Sequence, residues 1–138
     1  IIDENHTVGN HTFNHLKGWK HKTKNYVEDV LNTEITINSY ALDDRKKLFR
    51  PPYGKIRKKQ ARDLQREGYR IVMWDVLSGD FDINISKERC LRNVIENTTS
   101  GSIVVFHDSK KAENKLRYVL PRFLAHFSAK GYQFKKID

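Results

Sequence analysis

Apolar positions recur along the chain with helical and strand-like periods. From Thr23 to about Ser39, Tyr26, Val27, Val30, Leu31 and Ile35 fall at helical spacing, which predicts a first helix. Ile56 to Glu67 predicts a second, with Ala61 and Leu64 inward and Gly68 as its left-handed cap. Ser86 caps a third, which runs to about Asn97 on Leu91, Val94 and Ile95. Leu116 to Ala129 predicts the last, on a stripe of Leu116, Val119, Leu120, Phe123, Leu124 and Phe127. Pro121 suits only a first turn, so the regular part of this helix is expected to start near Val119, and Gly131 to end it.

Shorter apolar runs lie between these helices. Leu48-Phe49 is stopped abruptly by Pro51-Pro52. Tyr69 to Val76 is almost continuously apolar, as suits a strand covered on both faces. Ser102 to Phe106 predicts a second buried strand, and Tyr132 to Ile137 a final one. Ala41 to Lys47 reads as a charged connection and Leu77 to Ile85 as a loop. Alternating strands and helices imply parallel strands joined by right-handed crossovers, an α/β fold. In such folds the chemistry gathers at the carboxyl ends of the strands.

Composition narrows the class. The 138 residues suffice for a buried core, 38% of them are hydrophobic, and neither repeat nor linker interrupts them, so one domain over residues 1–138 is expected. No stretch approaches the roughly 20 apolar residues of a membrane span. Cys90 is the only cysteine, which excludes an intrachain disulfide. Met73 is the only methionine, and the opening Ile1-Ile2-Asp3-Glu4 reads like the middle of a longer sequence. The compartment is therefore open between cell envelope and cytoplasm, and so is the oligomeric state.

The net charge is +9, from 26 Lys and Arg against 17 Asp and Glu. The cations spread from Lys17 to Lys136, densest at Arg45-Lys46-Lys47 and from Lys55 to Lys59. This scatter reads as a basic domain with solvated helix faces. A nucleic-acid partner is not expected, whereas a mild preference for acidic partners such as anionic glycans fits.

The polar residues after each strand carry the chemistry. After the opening segment come His11 and His15, spaced i, i+4; on a helix both imidazoles would face one side and could share a metal. His6 and His21 lack that context and read as surface residues. After Leu48-Phe49 comes the stiff Arg50-Pro51-Pro52-Tyr53-Gly54, whose guanidinium at a strand mouth calls for an anionic partner. After the Tyr69 strand come Asp75 and Asp80. After the Ile103 strand comes His107-Asp108. Asp80 could accept the ring proton of His107 and hold its tautomer, which would make His107 a general acid.

Taken together these motifs resemble the polysaccharide deacetylase family, the NodB-homology group of carbohydrate esterases (family 4). His11-Thr12-Phe13-Asn14-His15 matches the family's H-[ST]-x-x-H, with Gly9-Asn10 before it. Arg50 to Gly54 is similar to R-P-P-Y-G, Leu77 to Phe81 to D-x-x-D-W, and Ile103 to His107 to L-x-L-x-H. The Gly131-Tyr132 ending also looks like the family's. The resemblance implies a distorted (β/α) barrel of the polysaccharide deacetylase type, here without its N-terminal strand or strands.

It also implies a metal-dependent hydrolase that removes N- or O-acetyl groups from a glycan. His11 and His15 would hold a divalent metal, zinc first among candidates. Arg50 would orient the catalytic base, and the Tyr53 backbone N–H would stabilise the oxyanion. His107, tuned by Asp80, would protonate the leaving amine. Trp74, Phe81 and Val105 would shape the acetyl pocket. The family's T-F-D-D-G motif, which supplies the base and a third, aspartate ligand, is not among these residues. The chain by itself is accordingly expected to bind metal poorly and to have little activity. Phe81 stands where the family has Trp, Val105 where it has Leu, and Leu77 where it has Asp. The alternative is a glycan-binding or inactive deacetylase-like domain.

Overall fold

The structure, a computed structural model, describes residues 2–40 and 45–137. Four α-helices, two single-turn 3-10 helices (Gly18–Lys20 and Pro52–Gly54) and four short strands appear among them: α1 (Thr23–Asn38), β1 (Leu48–Phe49), α2 (Lys58–Arg66), β2 (Arg70–Ile71), β3 (Val76–Leu77), α3 (Lys87–Asn97), β4 (Val104–Val105) and α4 (Glu113–Ala129). Both strand pairs are parallel, as the alternation predicts: Leu48 opposite Arg70 and Phe49 opposite Ile71, then Val76 opposite Val104 and Leu77 opposite Val105. The chain forms two compact units, Ile1–Met73 with Lys136–Asp138, and Trp74–Lys135.

The first unit packs α1 and α2 around Tyr26, Val30, Phe49, Leu64 and Tyr69. The inward face of α1 differs from the apolar stripe of the sequence. Tyr26, Asp29, Val30, Glu34 and Ile37 are buried, while Ile35 is 71% exposed. Two carboxylates thus lie on the core side of the helix, and each has a specific set of partners. On α2, Gln60 is fully buried beside Leu64, whereas Ala61 is only half-buried. The predicted Gly68 cap is present, with φ +86°. In the 41–47 connection, residues 41–44 lie outside the described residues.

The second unit packs α3 and α4 around Val76, Cys90, Val94, Val119, Phe123 and Phe127. The Ser86 cap forms as expected, its hydroxyl accepting the Arg89 N–H at 3.1 Å. Three expectations need correction. The Tyr69–Val76 run is not one strand: Arg70–Ile71 pairs with β1, Val76–Leu77 with β4. A change of pairing partner, invisible in an apolar run, breaks the strand between them. The last helix begins at Glu113 and carries Pro121 in its interior. Val119, Phe123 and Phe127 bury the same face on either side of it, and this packing outweighs the lost hydrogen bond of the proline. Finally, Tyr132–Ile137 forms no strand; Tyr132 and Phe134 instead lay their rings against Phe127 and Phe123, at centroid distances of 5.0 and 5.9 Å.

Candidate functional site

In the first unit, the segment after Gly9 pairs with the end of β1. Asn10 bridges to Phe49, its N–H donates to the Leu48 carbonyl at 2.8 Å, and its carbonyl accepts the Arg50 N–H at 3.0 Å. This pins His11 and Arg50 side by side at one strand mouth. His11 and His15 do not lie on a helix: the segment is a loop, with Thr12 and His15 at φ +65° and +53°. Two non-glycine residues in the left-handed region require compensation. It comes from fixed acceptors. Asn10 Oδ1 accepts the Thr12 N–H at 3.0 Å, and Thr12 Oγ1 accepts the Leu16 N–H at 3.0 Å. From α1, the buried Asp29 carboxylate accepts the N–H groups of Phe13 and Asn14 at 2.9 and 3.0 Å and the Asn14 side-chain amide at 2.5 Å.

The loop nevertheless brings the two imidazoles together, with ring centroids 5.0 Å apart. His11 Nδ1 lies against the Arg50 carbonyl oxygen. A carbonyl only accepts, so Nδ1 carries the proton and the lone pair resides on Nε2. This is the arrangement that metal-ligating histidines use, the second nitrogen held by a carbonyl. His15, exposed, meets the ring of Tyr53 at 4.8 Å. Tyr53 itself is in the left-handed region, φ +57°, within a tight turn closed by Gly54 N–H to Pro51 O and Lys55 N–H to Pro52 O, both 3.0 Å. Both prolines are fully buried, which fixes this turn. Arg50 is half-buried, and burial pushes its guanidinium below its usual pKa.

The imidazole pair fits a divalent metal as two of its ligands. A catalytic zinc takes three protein ligands, and among the described residues no cluster of three or more His, Cys, Asp or Glu forms. Asp29 is unsuited to be the third, because both its oxygens hold the loop.

In the second unit, Asp80 and His107 meet as the sequence suggests. Asp80 is fully buried; its Oδ1 accepts the His107 ring Nδ1–H and its Oδ2 the His107 backbone N–H, each at 2.7 Å. One carboxylate thus holds both the backbone and the ring of one histidine. Phe81 packs edge-on against that ring at 4.9 Å. Ser78 and Asn93 support the arrangement: the Ser78 hydroxyl accepts the Asp80 N–H, and the Asn93 amide donates to the carbonyls of Leu77 and Ser78. Cys90 also donates to the Ser78 carbonyl at 3.2 Å. Trp74 is half-buried and Val105 is buried in β4. Asp75 accepts the Ile103 N–H at 2.8 Å, so it aligns a strand. Of the two histidines read as surface residues, His6 is exposed and His21 half-buried.

Sequence reading missed Asp29 and Asn93, and gave no role to Asn10 and Ser78 within their motifs. For Asp29 a signal existed: an acidic residue three positions after Tyr26 and next to Val30, on the face that must be buried.

The polysaccharide deacetylase family pattern matches residues 1–72, and the chain belongs to this family. It is 28% identical to a peptidoglycan-N-acetylglucosamine deacetylase of Bacillus cereus over 139 residues, covering 100% of this chain and 64% of that protein. It is 27% identical to a peptidoglycan-N-acetylmuramic acid deacetylase of Bacillus subtilis, covering 100% of this chain and 52% of that one. Among solved structures, a family 4 carbohydrate esterase from Streptomyces lividans superposes with a TM-score of 0.85 at 26% identity, covering 99% of this chain and 68% of that one. The chain thus spans about half to two thirds of these curated relatives. Its fold matches part of the family 4 carbohydrate esterase domains, consistent with the incomplete deacetylase-type α/β barrel expected from the motifs.

Proposed function

We propose that this chain contributes to a metal-dependent hydrolase that removes acetyl groups from the amino sugars of a polysaccharide. The observation that carries the reading is the double hold of Asp80 on His107. A buried carboxylate on Nδ1–H commits the ring to one tautomer, so Nε2 is the atom that exchanges a proton. His107 is therefore a general acid for the leaving nitrogen, with Asp80 as the residue that orients it. Phe81 packs on the ring and limits its rotation.

In the first unit, His11 and His15 are the metal-holding pair, completed by a third ligand. Bound there, a divalent ion, zinc first among candidates, supplies Lewis acidity toward the acetyl carbonyl and toward water. The Arg50 carbonyl fixes the ligating tautomer of His11. The Arg50 guanidinium suits a carboxylate base as its partner. The left-handed Tyr53 places its backbone in a rigid turn, from which its N–H is proposed as an oxyanion donor. Trp74, Phe81 and Val105 are proposed to border the acetyl group. The two Bacillus relatives named above are peptidoglycan deacetylases, which supports an acetylated glycan as the substrate class.

Acetate release from N-acetylchitopentaose, measured on the protein at its natural full length, tests the reading. Activity should vanish after dialysis against a chelator, return with zinc, and be lost in His107→Ala. Acetate release that survives both chelation and His107→Ala would overturn it.

A further inference from the structure

Two stretches of the first unit contain no acidic residue, 5–27 and 45–62. They lie far apart in sequence, and the fold joins them. The Gly18 N–H donates to the Lys55 carbonyl at 2.9 Å, and the fully buried Gln60 donates its side-chain amide to the carbonyls of Gly18 and His21 at 2.9 and 3.2 Å. The joint is close enough to require glycine: a Cβ at position 18 would lie 2.4 Å from the Lys55 oxygen. At the joint stand Lys17 and Lys20, which flank Gly18 and Trp19 along the chain, with Lys55 and Arg57 from the other stretch.

Trp19 stands at this junction. Its indole is 52% exposed, yet it is anchored: Nε1–H donates to the Ile56 carbonyl at 3.1 Å, and the Trp19 carbonyl accepts the Arg57 guanidinium at 2.6 Å. The Lys55 ammonium lies 4.2 Å from the ring centroid. An exposed indole locked by its own N–H has already lost the conformational entropy that binding would cost. The surface also runs into the imidazole pair: Lys17 Nζ lies 5.9 Å from the Tyr53 ring centroid, and that ring meets His15.

We propose that this basic surface, centred on Trp19, binds an acidic glycan strand. The apolar face of a sugar ring stacks on the indole, and carboxylates on neighbouring sugars pair with the surrounding Lys and Arg side chains. The inference deepens the deacetylase reading and rests on it for the choice of a glycan. A polysaccharide bound here would run on to His15, so sugars distant from the reacting acetyl group would add affinity.

Binding of hyaluronan oligosaccharides to the full-length protein tests this, with neutral N-acetylchitohexaose and oligo-dT as comparison ligands. Hyaluronan should bind more tightly than either, and Trp19→Ala and Lys55→Gln should each weaken it by about tenfold. Circular dichroism checks the fold of Trp19→Ala, and Lys55→Gln alters a side chain that holds no part of the core. Unchanged hyaluronan affinity in both folded variants overturns the proposal. Equal binding of the neutral sugar, or of oligo-dT with the same response to both variants, also overturns it. Acetate release on the same samples separates the two readings: hyaluronan binding as described without acetate release sinks the hydrolase alone, and the converse sinks the basic surface alone.

Discussion

Asp80 gives each of its two carboxylate oxygens to a single residue, His107, one to the ring Nδ1–H and one to the backbone N–H. Asparagine in its place keeps the shape but offers one acceptor and one donor, and the donor faces an N–H. Asp80→Asn should therefore allow the other histidine tautomer and lower kcat for acetate release by roughly 10²-fold or more, with KM little changed. Steady-state kinetics on an N-acetylated oligosaccharide check this; an unaltered kcat would mean that the carboxylate does not orient the acid.

Asp29 plays a comparable part in the first unit, where it accepts three donors from the loop between His11 and His15. Asp29→Ala leaves both Asn14 donors without this acceptor, while the Phe13 N–H keeps the Asp29 backbone carbonyl at 3.3 Å, and it relaxes two left-handed residues. The expected loss is about 1–2 kcal/mol of stability, the net worth of hydrogen bonds to a charged acceptor whose donors can turn to water, together with weaker metal binding. Denaturant melts and zinc titration measure the two effects.

Glu34 sets a pH dependence of stability. Burial alone would push its carboxyl up, but hydrogen bonds from Tyr69 and Arg45, with the Arg45 charge, hold it below the usual value of 4.5. A carboxyl depressed in the folded state contributes stability that is fully present above about 4.5 and is lost as pH falls through the folded value. Thermal melts from neutral to acidic pH should show a constant gap between wild type and Glu34→Gln that closes on acidification. A gap independent of pH would show that the Glu34 charge is not involved.

Cys90 is buried and donates to the Ser78 carbonyl. Burial, reinforced by the Asp80 charge, pushes its thiol up to about 11. The thiolate is the reactive form, so Cys90 should resist a disulfide reagent in the native state and react on unfolding. Labelling rates across a denaturant series should follow the unfolded fraction.

Much of the architecture was legible along the chain. Local periodicity marks all four helices because every turn repeats the same burial choice. The order of His11, Arg50, Asp80 and His107 was enough to suggest the family. The pairing of Asp80 with His107 was also foreseen, since each follows an apolar run that ends in the same chemistry.

Other features depended on contacts between distant residues, which no local pattern records. The Tyr69–Val76 run changes strand partner partway, and apolar character is the same with either partner. Pro121 survives inside α4 because Val119, Phe123 and Phe127 bury one face across it. On a helix the His11–His15 spacing would have put both imidazoles on one side; Asp29 on α1 fixes a loop instead, and it does so largely through backbone N–H groups that every sequence possesses. Charge shows the same division. The sequence determined +9 and its apparent scatter; only the packing of Gly18 against Lys55, too close for any larger residue, brought two acid-free stretches into one surface.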